Sequence, residues 1–258
     1  MKRKAPARIR RYIDELRSKE SGVGDTKQAI KQVNARYNFA LERLPNKGTI
    51  LDIGIGMGVG VSQTNSPEMF VGLDYNRKAL GIAAQDNPRL RGKLVQATAR
   101  KIPFKDIGAI TAFELLEHLS PEAKHEFLRE AHESLSKGGL LIISTPLSFG
   151  PVRTLNRFHA GKELELPQLR ELLEKYFGEV EYYGIGTQPK SIGRKLAFRA
   201  QELVSSIDIL NIRRKILPPK LRSIMLRKLR GNSEIKPLRN YNMSEGELPK
   251  NIIAVAKK

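Results

Sequence analysis

The apolar run Thr49-Ile50-Leu51-Asp52-Ile53 breaks directly into Gly54-Ile55-Gly56-Met57-Gly58. A short apolar stretch that ends in alternate glycines is a buried strand entering a tight turn, where missing side chains let the backbone approach a ligand closely. The turn is not the dinucleotide fingerprint G-x-G-x-x-G. Counted from Gly54 the third glycine would fall at Val59, and counted from Gly56 at Val61. The pattern is instead acid-x-Gly-x-Gly-x-Gly, with Asp52 near the strand's end. A carboxylate there suits a cationic ligand better than a pyrophosphate. Asp74 follows 22 residues later, closing a second apolar run, where a carboxylate can accept both hydroxyls of a ribose.

The rest of the chain alternates in the same way. Asp25 to Leu44 has helical periodicity, with Ile30, Val33, Tyr37, Leu41 and Leu44 on one face, Asp25 as a cap and Pro45 as a stop. Apolar runs at Met69–Leu73, Lys93–Ala97, Ile107–Ala112, Leu140–Ser144, Glu179–Tyr183 and Asn251–Ala256 read as strands. Asn76–Gln85, Glu114–Leu119, Pro121–Leu135 and Pro167–Phe177 read as helices, with Ser120 capping the third and Gly138-Gly139 closing it. Strands that are apolar throughout and alternate with helices imply an α/β fold, a mostly parallel sheet covered on both faces. The alternation stops after Thr187, where Ile192–Leu210 and Leu221–Arg230 read as helices either side of Pro218-Pro219.

Charge follows the same division. The chain of 258 residues carries a formal net charge of +19, of which residues 1–36 hold +7, residues 37–186 hold zero and residues 187–240 hold +11. The middle is electrostatically ordinary and the basic character sits in two appendages, a distribution that attracts polyanions such as nucleic acid or anionic lipid head groups. The absence of cysteine excludes disulfide scaffolds, thiolate metal sites and cysteine nucleophiles. No apolar run approaches the roughly 18 residues of a membrane span. Met1–Arg17 is basic without an apolar stretch behind it, unlike a secretory signal, so the expected location is the cytoplasm, with the 187–240 segment allowing a peripheral position on a membrane.

On these motifs the sequence resembles the class I S-adenosylmethionine-dependent methyltransferases, and within them the ubiquinone-pathway O-methyltransferases. Ile50–Gly58 resembles their first motif, Val71–Asp74 the second strand with its ribose-binding acid, and Gln96–Phe104 the segment lining the adenine. Ala112–Leu119 resembles the fourth-strand motif and Leu135–Leu140 the turn before the fifth strand. The resemblance covers about Tyr37 to Gly186 and the terminal strand. It implies a Rossmann-like, doubly wound sheet of seven strands, the last antiparallel, with a basic helical insertion before that last strand. It also implies S-adenosylmethionine as cofactor, with Asp52, Gly54, Gly56 and Gly58 holding the amino-acid end, Asp74 the ribose, Thr98 and Ala99 the adenine, and Tyr75 and Phe113 completing the pocket. Two positions depart from the family pattern: Thr98 stands where an Asp usually accepts from the adenine amino group, and Gly108 stands near a usual Asp.

Glu114, Glu117 and His118 are spaced i, i+3 and i+4, a shared helix face, with Glu114 and His118 expected to face the acceptor as catalytic residues. The same pattern resembles metal-assisted O-methyltransferases, in which a later His joins the set. Here that His is His159, and the implied ligands Glu114, Glu117, His118 and His159 would suit a divalent metal. The expected organisation is a basic N-terminal helical segment (1–48), a cofactor-binding domain (49–186 plus 249–258) and a basic helical insertion (187–248) serving as a lid or acceptor platform. The expected activity is O-methylation of a small-molecule or lipid-linked acceptor. Two alternatives stand beside it: an RNA 2′-O-methyltransferase, a nucleic-acid partner made less favoured by the scarcity of aromatics in the insertion, Phe198 and Tyr241, and a cofactor-binding scaffold without turnover.

Overall fold

The computed structural model describes residues 26–44, 49–62, 64–65, 69–148, 163–186, 234–241, 249 and 251–258. Helix α1 (Thr26–Leu41) leads into strand β1 (Ile50–Ile53), the glycine turn, a one-turn helix α2 (Val59–Ser62) and strand β2 (Phe70–Asp74). Helix α3 (Arg77–Asp86), strand β3 (Leu94–Gln96), strand β4 (Ile107–Phe113), helix α4 (Pro121–Ser134) and strand β5 (Leu135–Pro146) follow. Helix α5 (Leu166–Glu174), strand β6 (Glu179–Ile185), strand β7 (Ile235–Pro237) and strand β8 (Asn251–Lys257) complete the set.

The strands form one sheet in the order β3-β2-β1-β4-β5-β8-β6-β7. β1 to β5 pair in parallel, and β8 inserts antiparallel between β5 and β6. Side chains alternate between two cores. Leu51, Ile53, Leu73, Ile110, Ala112, Leu141 and Ile143 face one layer, while Ile50, Phe70, Ala109 and Ile142 face the other. That two-sided burial is why the strand sequences show no polar alternation. The helix starts are those their sequences specify. Asn76 Oδ1 accepts from the backbone N–H of Lys78 and Ala79, and Ser120 Oγ accepts from that of Ala123 ahead of Pro121.

The sheet corrects the expected strand count, since it has eight strands where seven were expected. The additional strand, β7, lies inside the segment expected to be a helical insertion. It pairs antiparallel with the outer edge of β6, Ile185 opposite Ile235 and Tyr183 opposite Pro237. A bare β6 edge would leave backbone groups unpaired, and a short strand carrying a proline is what a sheet edge tolerates. Tyr241, just beyond, donates its hydroxyl to the Gly186 carbonyl at 2.9 Å. The expected insertion helices at 192–210 and 221–230, the N-terminal stretch through Asp25 and the stop at Pro45 lie outside the described residues. Strand β5 also begins earlier than expected. Leu135 already pairs with Ile107, and the register shifts before Ala109. Gly138, at φ 76°, and Gly139 therefore sit inside the strand rather than closing α4.

Helix α1 packs on α2, just beyond the glycine turn, through Tyr37. Its ring lies 4.9 Å from that of Phe113 and 6.0 Å from that of Phe70, and it covers Gly60 so closely that a Cβ there would sit well inside contact with the ring. Gly60→Ala should therefore lower stability by about 1–3 kcal/mol, the usual cost of forcing atoms into a filled core. Thermal unfolding checks this, and an unchanged midpoint would show that the ring is free to move.

Candidate active site

Strand order reverses between β1, which continues to β2 and β3, and β4, which continues to β5. Crevices outside the carboxyl ends of strands at such a switch point are where open α/β sheets bind ligands. The glycine turn leaves β1 at that point. Gly54, Gly56 and Gly58 have φ values of 77°, 55° and 68°, a backbone conformation that a side chain resists. The turn is tied to β2, since the N–H groups of Gly54 and Ile55 both donate to the Leu73 carbonyl, at 2.7 and 3.2 Å. A Cβ on Gly54 would meet Leu115 Cδ1 at 3.4 Å, so the turn also lies against the segment that follows β4.

Asp74 closes β2 and is buried. One carboxylate oxygen accepts from Gly56 N at 2.8 Å and the other from Asn76 N at 2.8 Å. The acid expected to hold a ribose thus fixes the glycine turn as well, and two donors leave lone pairs for hydroxyl groups. Tyr75, next in the chain, is 75 % exposed, the one large hydrophobic side chain so exposed among the described residues. Gln96 Nε2 donates to the Tyr75 carbonyl and Ala97 N to that of Asp74, which brings the stretch after β3, with exposed Thr98 and half-buried Ala99, to the Asp74 end of the crevice.

Asp52 is more enclosed than its sequence position suggests. Its carboxylate is 1 % exposed, and both oxygens are engaged, one by Tyr37 Oη and one by Thr111 Oγ1, each at 2.7 Å. Thr111 is its direct neighbour across the β1–β4 pair. Burial raises the Asp52 carboxyl to about 7; the hydrogen bonds from Tyr37 and Thr111 oppose this, and the charge of Asp74 adds to it. The Tyr37 hydroxyl is pushed well above its ordinary value, first by burial and then by the Asp52 charge.

The segment after β4 is not a helix from Glu114, which corrects the expected shared face. β4 runs on through Phe113, Glu114 takes a left-handed backbone at φ 53°, and only a 3-10 turn at Leu116–His118 follows. The carboxylates consequently part. Glu117 is buried and accepts from Thr145 Oγ1 at 3.2 Å, while Glu114 is partly exposed. Glu114 Oε1 receives Arg36 Nη2 at 3.1 Å, Ser144 Oγ at 2.9 Å and Asn251 Nδ2 at 3.2 Å, and Oε2 receives Asn251 Nδ2 at 3.2 Å. His118 lies exposed in the 3-10 turn. Among the described residues no three His, Cys, Asp or Glu side chains gather as metal ligands, so Glu114, Glu117 and His118 do not assemble the expected metal set, and His159 lies outside those residues.

Five site residues escaped sequence reading: Arg36, Tyr37, Thr111, Ser144 and Asn251. Thr111 and Ser144 had a visible signal, a hydroxyl inside an otherwise apolar strand. Tyr37 read as a core aromatic, and its hydroxyl gave no hint of Asp52.

The residues present fit S-adenosylmethionine: a turn whose backbone is bare where a ligand would lie, a buried acid beside it with lone pairs to spare for hydroxyls, and an exposed aromatic, Tyr75, next to that acid. Residues 51–143 match the family model described as "Methyltransferase domain". No curated protein matches the sequence. Among solved structures, an S-adenosylmethionine-dependent methyltransferase from Archaeoglobus fulgidus is similar with TM-score 0.57 at 16% identity, over 96% of this chain and 100% of that one. A Thermotoga maritima methyltransferase described as a possible histamine N-methyltransferase gives 0.54 at 16% identity, over 97% of both chains. A TehB-like methyltransferase from Corynebacterium glutamicum gives 0.50 at 17% identity, over 98% of this chain and 100% of that one. Likeness at such identities speaks for the fold alone. The family model, however, falls on the strands and turn that carry both aspartates: residues 51–143 are a methyltransferase domain, in a chain with the fold of S-adenosylmethionine-dependent methyltransferases.

Proposed function

We propose that the enzyme methylates an oxygen of a small-molecule or lipid-linked acceptor. The observation that carries this reading is the uneven use of the Glu114 carboxylate beside the glycine turn. Three donors converge on Oε1, whereas Oε2 has one and belongs to a side chain 36% exposed. S-adenosylmethionine supplies a methyl group on a sulfonium, already electrophilic, so the chain's main task is alignment, which contributes about 7–11 kcal/mol in well-oriented reactions. The glycine turn and Asp74 would hold the cofactor from the β1–β2 side, leaving the β4 side for the acceptor. A hydroxyl acceptor must also lose its proton. Its oxygen bonds to the methyl carbon as the carbon–sulfur bond breaks, the electron pair stays on sulfur, and the proton passes to Glu114 Oε2. Exposed His118 would stand on the same acceptor side, where it can exchange a proton with solvent. The +11 charge of residues 187–240 supports an approach to anionic membrane surfaces, where a lipid-linked acceptor would be met.

The test is to incubate the full chain with methyl-tritiated cofactor and separated cell fractions. Label should enter the solvent-extractable lipid or small-molecule fraction in alkali-stable, ether-like linkage. Glu114→Gln keeps an oxygen for Arg36, Ser144 and Asn251, so it should fold, yet it should slow transfer by about 100-fold or more, as loss of a general base does. Label confined to RNA would replace this reading with nucleic-acid methylation. Label on amine nitrogen would overturn the oxygen assignment.

A further inference from the structure

We infer that Arg36 and Asn251 are positioning residues that fix the acceptor-facing oxygen of Glu114, so that helix α1 and the start of β8 belong to the acceptor half of the site. The inference rests on the proposed role of Glu114. Three elements far apart in sequence meet at that carboxylate: α1 through Arg36, β5 through Ser144 and β8 through Asn251. The backbone is held too, since Glu114 N donates to the Ser144 carbonyl at 2.9 Å while the residue keeps its left-handed φ of 53°. Asn251 Nδ2 is equidistant from the two oxygens at 3.2 Å, which fixes the roll of the carboxylate plane.

Arg36 is the more telling partner. It is 5% exposed, and its Nε is buried with no hydrogen-bond partner among the described residues. Taking a guanidinium out of water is costly, and an unmet buried N–H adds to that cost. A helix that had only to pack at this place would be served better by an apolar side chain, because well-packed apolar replacements of buried ion pairs are often neutral or stabilising. What the guanidinium supplies instead is direction. It pulls on Oε1, turning Oε2 outward. One nitrogen, Nη2, makes the contact, so the fork geometry that separates Arg from Lys is not used here, and an ammonium can substitute.

The test uses the full chain, tritiated cofactor and a dilution series of the cell extract that the wild type labels. Asn251→Ala and Arg36→Met should lower the maximal rate by about 10- to 100-fold, the scale on which misplacement of a reacting group acts. The half-saturating extract concentration and the calorimetric affinity for S-adenosylmethionine should both stay within about threefold, the pattern of an interaction felt in the transition state. Arg36→Lys should recover most of the rate, which a merely structural role for Arg36 does not predict. Unchanged rates in both variants, or losses carried entirely by cofactor affinity, would overturn the inference. Crystals of Asn251→Ala with S-adenosylhomocysteine give a second reading that needs no acceptor. The Glu114 carboxylate should be rotated from its wild-type position, and an unmoved carboxylate in both Asn251→Ala and Arg36→Met would overturn the clamp. If the wild type labels no extract, the proposed acceptor chemistry fails while the crystals still decide the clamp.

Discussion

Asp74→Ala should abolish measurable cofactor binding while leaving the chain folded. The Asp74 carboxylate holds Gly56 N and Asn76 N, each at 2.8 Å, which sets the glycine turn, and on the ribose assignment its remaining lone pairs would take the cofactor's hydroxyls. Hydrogen bonds to a charged group are worth about 1.5–3 kcal/mol each, so losing the two to ribose alone corresponds to at least about a hundredfold in affinity. Loosening of the turn adds to that. The core strands are untouched by the change, since Leu73 and Phe70 carry the burial of β2. Asp74→Asn retains one acceptor oxygen for two backbone donors and should fall between. Calorimetric titration with S-adenosylmethionine, beside thermal unfolding of the same samples, checks this. An affinity within about threefold of wild type in Asp74→Ala would be incompatible with the ribose assignment.

Asp52→Asn should make the protein more stable at neutral pH, with a gap that depends on pH in a defined direction. The native carboxyl is raised from 3.8 to about 7 because it is buried, so the folded chain binds this proton more tightly than the unfolded chain does. Its contribution to stability is therefore fully present below about pH 4, is lost as pH rises toward 7, and is constant above that. The span corresponds to roughly 4 kcal/mol, reduced by whatever the amide sacrifices in its bonds to Tyr37 and Thr111. The difference in unfolding free energy between Asp52→Asn and wild type should thus grow from pH 4 to 7 and then level off. A difference that stays flat across this range would mean that Asp52 titrates as an ordinary carboxyl.

The two ends of the site were unequally readable in the sequence, for physical reasons. The cofactor half is local: a strand, a turn of residues that need a left-handed backbone, and an acid closing the next strand are all written in consecutive residues, and Asp52–Gly58 and Asp74 fall where that pattern puts them. The proposed acceptor half is assembled from afar. Arg36, Ser144 and Asn251 reach Glu114 only because β8 inserts beside β5 and α1 packs on β1 and β4 through Tyr37, with separations of 30 residues for Ser144 and 137 for Asn251. Periodicity also misjudged Glu114–Leu119. The spacing of Glu114, Glu117 and His118 is helical on paper, but pairing of β4 with β5 extends through Phe113 and a left-handed Glu114 then breaks the face. β7 escaped because three residues that include a lysine and a proline carry no strand pattern; they become a strand only through the open edge of β6.

The central claim is that the glycine turn and Asp74 together form the seat of a sulfur-bearing nucleoside. A crystal structure with S-adenosylhomocysteine tests it most directly. The account predicts the ligand lying along Gly54–Gly58, its ribose hydroxyls on the Asp74 carboxylate and its sulfur turned toward Glu114. Density for the ligand elsewhere, or a crevice without ligand at saturating concentration, would contradict it.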